Sequence, residues 1–228
     1  MSIPTPPQGW RSQARLLPML LWLNMAVQLL AGAMCLLLAT RVDTPTDSVD
    51  DPGLRMFDAW QLLTTATGLV FMLTAIVWLV WQRGTARMAL RWAPELSQPA
   101  WQLFNWVIPL INLWRPLVDL RALHRVFTIV RKDEMAADGI RGSIELAQVR
   151  LDDFRAATTR WWACWITFAT AQLVAAWIVA GASGTTGARA GFIASGIADL
   201  LALPAAFLAT RVVSELTGRV ADAAGLRA

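Results

Sequence analysis

Three groups of side chains have the type and spacing for chemistry. Asp199 stands alone in the apolar run AGFIASGIADLLALPAAFLAT, residues 190–210, and Asn24, Gln28 and Gln172 interrupt other apolar runs. A carboxyl group in hydrocarbon must either bond to a polar neighbour or carry a proton or cation, which makes it a candidate functional group. Arg121, Arg125 and Lys132 share one side of LVDLRALHRVFTIVRK, residues 117–132, while Leu117, Leu120, Leu123, Phe127 and Val130 recur at helical period. A helix with one apolar and one basic face suits an anionic lipid surface, where each basic residue contributes about 1 kcal/mol. The same pattern fits a cytoplasmic helix packed on the protein's own loop with a solvated charge stripe. The third group is WVIPLINLWRP, Trp106 to Pro116, which combines Trp106, Pro109, Asn112, Trp114, Arg115 and Pro116.

Other chemistries lack their residues. His124 is the one histidine, so a histidine metal cluster or a Ser-His-Asp triad cannot be assembled. Phosphate-binding glycine loops and nucleophile elbows are missing from the sequence. Cys35 and Cys164 each lie inside an apolar run and read as small buried hydrophobes rather than a disulfide framework. No catalytic residue, metal ligand or cofactor is therefore assigned, and the expectation is a non-enzyme. The pI near 10.3 suggests nucleic acid at first sight. The basic residues instead lie between hydrophobic runs, so no nucleic-acid partner is expected.

The elements that must position these groups are set by hydropathy. The chain has 228 residues, 56% of them hydrophobic and 16% charged, against about 25% charged in ordinary globular proteins. Four windows of about 20 residues, the length that crosses a ~30 Å hydrocarbon core, lie at 16–39, 59–81, 161–181 and 190–210. All four lack Lys and Arg. Two arginines before residue 16, twelve basic residues in 82–160 and three after 210 make seventeen of the 20 basic residues. The positive-inside rule then places both termini and the long loop in the cytoplasm of a plasma-membrane protein. The expected layout is a cytoplasmic segment 1–15, spans one and two within 16–81 around an acidic external loop 40–58, a cytoplasmic region 82–160, spans three and four within 161–210, and a cytoplasmic tail 211–228. A second polar helix, SIELAQVRLDDFRAATTR, runs directly into span three.

Small or polar residues at helical spacing mark the faces that should meet: Asn24, Gln28 and Gly32; Gln61, Thr65 and Gly68; Thr167, Ala171 and Ala175; Gly187, Gly191, Ser195 and Asp199. They predict one compact bundle in which Asn24, Gln28 or Gln172 partners Asp199. The segment 101–117 is too short to cross and is broken by Pro109, which removes a helical hydrogen bond. It is expected to be re-entrant or interfacial, since irregular backbone is not tolerated in contact with lipid.

On these residues the chain resembles a bacterial membrane family, domain of unknown function 4328. Trp106, Pro109, Asn112, Leu113, Trp114 and Pro116 match its V-P-x-x-N-L-x-x-P core, and Trp161 with Trp162 matches a second feature at the start of span three. The resemblance covers roughly residues 60–180 and departs at Gln102 to Asn105, where the family has glycine and tryptophan. It implies a four-span membrane protein of actinobacterial type and implies no activity.

The fold class expected is thus all-α: four transmembrane helices in one bundle, a re-entrant or interfacial segment 101–117, and an amphipathic cytoplasmic helix 117–132. The function expected is interaction with anionic lipid of the cytoplasmic leaflet, with another membrane protein or with a second copy, through residues 101–132. The alternative is a small transporter or channel component with proton or cation coupling at Asp199.

Overall fold

Inside a bilayer no water can satisfy peptide groups, so an apolar run of spanning length has to close its hydrogen bonds within itself as a helix. The computed structural model describes residues 9–42, 52–94, 96, 106, 114–137 and 143–224. Among the described residues it contains five α-helices and no strand: α1 Trp10–Arg41, α2 Pro52–Ala89, α3 Arg115–Ala137, α4 Ser143–Ala180 and α5 Gly184–Ala223. Four of them, α1, α2, α4 and α5, are long and apolar enough to cross a membrane, and the chain is a membrane protein. The all-α expectation holds. The expected windows fall inside these four helices, except that the third runs one residue past the end of α4, and SIELAQVRLDDFRAATTR is continuous with span three in α4.

Helix ends follow local chemistry. Gly9, at φ +82°, precedes α1 and its carbonyl accepts from the Gln13 amide at 3.0 Å. Pro52 opens α2 and Pro116 lies in the first turn of α3, positions where a missing N–H has no intrahelical acceptor to lose. Pro116 therefore starts a helix and does not merely break one. Between α4 and α5 only residues 181–183 intervene, and Gly184 begins α5 at φ +63°, a conformation that favours glycine.

The helices are longer than their spans. At 1.5 Å per residue, helices of 32 to 40 residues reach about 48–60 Å, well over the ~30 Å of hydrocarbon. The chain divides accordingly into two units: residues 1–19, 75–162 and 208–228 form the first, and residues 20–74 and 163–207 the second. Each of the four long helices contributes a segment to both.

The second unit packs four helix segments through a few specific contacts. α1 and α5 touch at glycine: a Cβ on Gly32 would stand 3.0 Å from the Gly196 carbonyl oxygen, and a Cβ on Gly196 would stand 3.0 Å from that of Gly32. The Trp60 indole N–H of α2 points to Cys35 Sγ of α1 at 3.0 Å, and its ring meets Phe192 of α5 at 5.4 Å. Phe71 of α2 stacks on Trp165 of α4 at 5.9 Å. Outward, large apolar side chains are exposed, among them Leu62, Leu69, Leu173 and Trp177, the last at 85%. Such a surface is unfavourable in water and ordinary in lipid.

The stripes of small and polar residues are corrected in part. On α1 the stripe faces inward, with Asn24, Gln28 and Gly32 all buried. On α2 it does not, as Gln61, Thr65 and Gly68 are exposed, and on α4 it does so only in part: Thr167 is exposed, Ala171 half-buried and Ala175 buried. The reason is local, because Thr65 and Thr167 donate to the carbonyls of Gln61 and Ala163 four residues back at 3.0 and 2.9 Å. A hydroxyl satisfied by its own helix needs no neighbour.

The first unit has a core of large apolar side chains. Leu17 of α1, Trp81 of α2, Leu120, Leu123 and Phe127 of α3, and Val213, Leu216 and Val220 of α5 are fully buried. Trp10 lies across Gly84, where an added Cβ would meet its Cδ1 at 2.9 Å, and its indole N–H donates to Thr85 Oγ1 at 3.0 Å.

Two glycine substitutions separate packing from helix propensity. Gly32→Val should lower the melting temperature in detergent, since overpacking costs about 1–3 kcal/mol. Gly68→Ala, with nothing within 4 Å of the new Cβ, should be neutral or stabilising by up to about 1 kcal/mol. Equal effects of the two would refute the glycine contact.

Candidate functional site

In the first unit the candidate residues gather around α3 and the indoles beside it. Trp106, from the tryptophan-rich motif, donates its indole N–H to Gln82 Oε1 at 2.9 Å, and Trp78 donates to the same oxygen at 3.1 Å. The Trp78 ring stacks on Trp161 at 5.3 Å, and Trp106 meets Trp78 and Trp162 at 5.8 and 6.0 Å. The structure thus brings both motif features, Trp106 and the Trp161–Trp162 pair, into one cluster. At its centre is Gln82, fully buried, which sequence reasoning missed. The signal was faint: one glutamine after WLVW reads as a span end, and only the indole donors give it a role.

α3 lies in the first unit with its apolar stripe turned inward, where Leu120, Leu123 and Phe127 are fully buried. His124, one turn after Leu120, shares that environment: it is 1% exposed and stacked on Phe154 of α4 with ring centres 3.8 Å apart. His124 is therefore a core residue, because the helix buries this side in protein. Its Nδ1 lies 3.4 Å from Thr128 Oγ1, and its Nε2 lies 3.7 Å from Glu215 Oε1 of α5. Glu215 in turn holds Arg219 through the same oxygen at 2.7 Å. Burial pushes the His124 pKa below its ordinary 6.5, outweighing the upward pull of Glu215, and Arg219 adds to the lowering.

The basic residues divide. Arg115 pairs with Asp119, one turn on, at 3.3 Å. Arg121 is fixed to α4, donating to Thr158 Oγ1 at 3.1 Å, to Thr159 Oγ1 at 2.6 Å and to the Arg155 carbonyl at 3.1 Å. Arg125 is exposed, on the same side of α3 as exposed Trp114, Val118 and Ile129. Pro109 and Asn112 lie outside the described residues, as does the Lys132 side chain, so most of segment 101–117 is not placed.

In the second unit Asp199 has the partner its sequence neighbours allowed: Gln172 Nε2 donates to Asp199 Oδ1 at 2.9 Å, joining α4 to α5. Asn24 and Gln28 are buried on α1, and the Asn24 Oδ1 and Gln28 Oε1 oxygens find no hydrogen-bond donor among the described residues.

Asp199→Asn should leave stability in detergent unchanged, because an amide oxygen still accepts from Gln172. Asp199→Leu strands that donor and should cost about 0.6 kcal/mol, the average for an interhelical hydrogen bond in a membrane. A loss in the Asn variant as large as in the Leu variant would refute an acceptor role.

A histidine with a lowered folded pKa binds fewer protons folded than unfolded, so stability rises with pH. The His124 contribution should be complete above about pH 6.5 and lost as pH falls below it. Melting curves between pH 8 and 5 should show that decline, and His124→Phe should flatten it. An unchanged pH profile in that variant would place the titration elsewhere.

Comparison with known proteins adds the family. The family described as Domain of unknown function (DUF4328) matches residues 53–218, most of the chain. The motif-bearing stretch, roughly residues 60–180, lies inside that match, which also takes in α5 as far as Gly218. No curated protein and no solved structure matches the chain. The protein belongs to the DUF4328 family.

Proposed function

We propose that the protein is a non-enzymatic interaction module of the plasma membrane, with both termini and residues 82–160 cytoplasmic, and that residues 101–132 contact anionic lipid or a membrane partner. The observation that carries this reading is the outer side of α3. Trp114, at 54% exposure, Val118, Arg125 and Ile129 project there together, an aromatic, two aliphatics and a guanidinium in one helical stripe. An indole sits well at headgroup depth, aliphatic side chains favour the acyl boundary, and arginine favours anionic headgroups. The inner apolar stripe of α3 is taken up by protein, so this outer one is what remains for a partner. Ion coupling at Asp199 is the weaker reading, since the described partner of that residue is the neutral amide of Gln172.

Lipid co-purification tests the proposal. Protein extracted in mild detergent should retain anionic phospholipid enriched over the bulk membrane, and Val118→Glu combined with Arg125→Glu should reduce that enrichment severalfold. Retained lipid at the bulk ratio in wild type and variant alike would sink the lipid reading. A proton or cation flux in reconstituted vesicles that Asp199→Asn abolishes would make the protein a transporter instead.

A further inference from the structure

Between α3 and the residue 143–160 part of α4 lies a cavity of about 850 Å³, inside the roughly 300–1,000 Å³ range of small-molecule sites. It belongs to the first unit alone. Its walls carry three guanidinium groups: Arg121 and Arg125 from α3, Arg155 from α4. Arginine keeps its charge at any accessible pH. Arg121 is anchored by the three hydrogen bonds to α4 described above, so one charge is fixed in place at the seam of the two helices. Arg125 and Arg155 are exposed side chains, and neither has a carboxylate partner among the described residues. The arginines also feel one another: after burial, the charge of Arg155 is what pushes the Arg121 pKa down. Against these three cations the described lining offers one acid, Asp152, to which Gln148 donates at 3.4 Å. Apolar surface completes the walls, from Trp92, Val118 and Ile129.

Three guanidiniums that line one apolar-walled cleft and have no carboxylate partner among the described residues call for an anion with an apolar body. We propose that the cleft between α3 and α4 binds an anionic phospholipid, its phosphate held by Arg121, Arg125 and Arg155 and its acyl region against Trp92, Val118 and Ile129. Arginine forks recognise phosphate oxygens in bidentate fashion, and a site with donors on two helices selects a headgroup that a flat basic surface would not. The inference rests on the lipid reading above and deepens it: the ligand enters between the helices, and α4 supplies part of the site. Arg155 is outside segment 101–132, which makes it the discriminating residue.

The experiment is native mass spectrometry of the full-length protein in detergent, titrated with phosphatidylglycerol and, in parallel, with phosphatidylcholine. Wild type should retain phosphatidylglycerol preferentially. Arg155→Gln should weaken that binding about fivefold, the ~1 kcal/mol of one basic residue near an anionic lipid surface at 1.4 kcal/mol per decade. Arg155→Lys should keep most of it, and Ala122→Trp, which fills the cleft from α3, should abolish it. If Arg125→Gln weakens binding while Arg155→Gln and Ala122→Trp do not, lipid binds the outer side of α3, the cleft proposal is wrong and the broader reading stands. Binding indifferent to all four substitutions overturns both. A third arm adds inorganic phosphate: displacement of phosphatidylglycerol by millimolar phosphate, with the same arginine dependence, would show a free phosphate site and refute the lipid assignment.

Discussion

A continuous helix about one and a half to two times as long as the hydrocarbon core is thick must serve two solvents with one backbone, and the rest of this structure follows from that mismatch. α1, α2, α4 and α5 run 32 to 40 residues, and each must be lipid-compatible along one stretch and water-compatible along another. In the second unit the segments leave leucines and a tryptophan exposed and meet through close-packed glycine, one amide–carboxyl bond and aromatic contacts. In the first unit the same helices bury leucine, valine and tryptophan and leave arginine outside. The chemistry changes along each helix without a break in it.

α3 shows what that arrangement does to a helix of spanning length that is too polar to span. Its inner side fills the core of the first unit with Leu120, Leu123 and Phe127, and takes His124 in with them. Arg121 turns to α4 because Thr158, Thr159 and the Arg155 carbonyl offer acceptors within reach. One wall of the cleft is thereby built of charge that has no carboxylate partner among the described residues. Gln82 does comparable work at the indole cluster, where a single carbonyl oxygen accepts from two tryptophans and fixes both rings.

Much of this was legible in the sequence, for physical reasons. Spans are visible because hydrocarbon imposes length and composition at once, and each of the four windows lies in one long helix to within a residue at its end. The Asp199 partner was legible as one of three residues, because few groups inside a span can hydrogen-bond to a carboxyl. The orientation of α3 was not legible, since a helical apolar period is the same whether lipid or protein covers it. Nor was the outward turn of Thr65 and Thr167 on α2 and α4, as a hydroxyl can close on its own helix and leave no trace in the spacing. Gln82 and Trp10 depend on contacts 24 and 75 residues away, a distance over which a single sequence carries no pattern.

The clustered indoles also give the molecule an optical character. Trp78, Trp106, Trp161 and Trp162 stand with ring centres 5.3 to 6.4 Å apart. At that separation ultraviolet excitation of one ring passes readily to the next, so the rings act as one coupled chromophore. Two of the four indole N–H groups are tied to the Gln82 oxygen, that of Trp78 in a buried setting and that of Trp106 in a part-buried one, and burial favours blue-shifted emission. These four are part of the chain's 13 tryptophans, and an event that parts their rings would alter the emission without an added label.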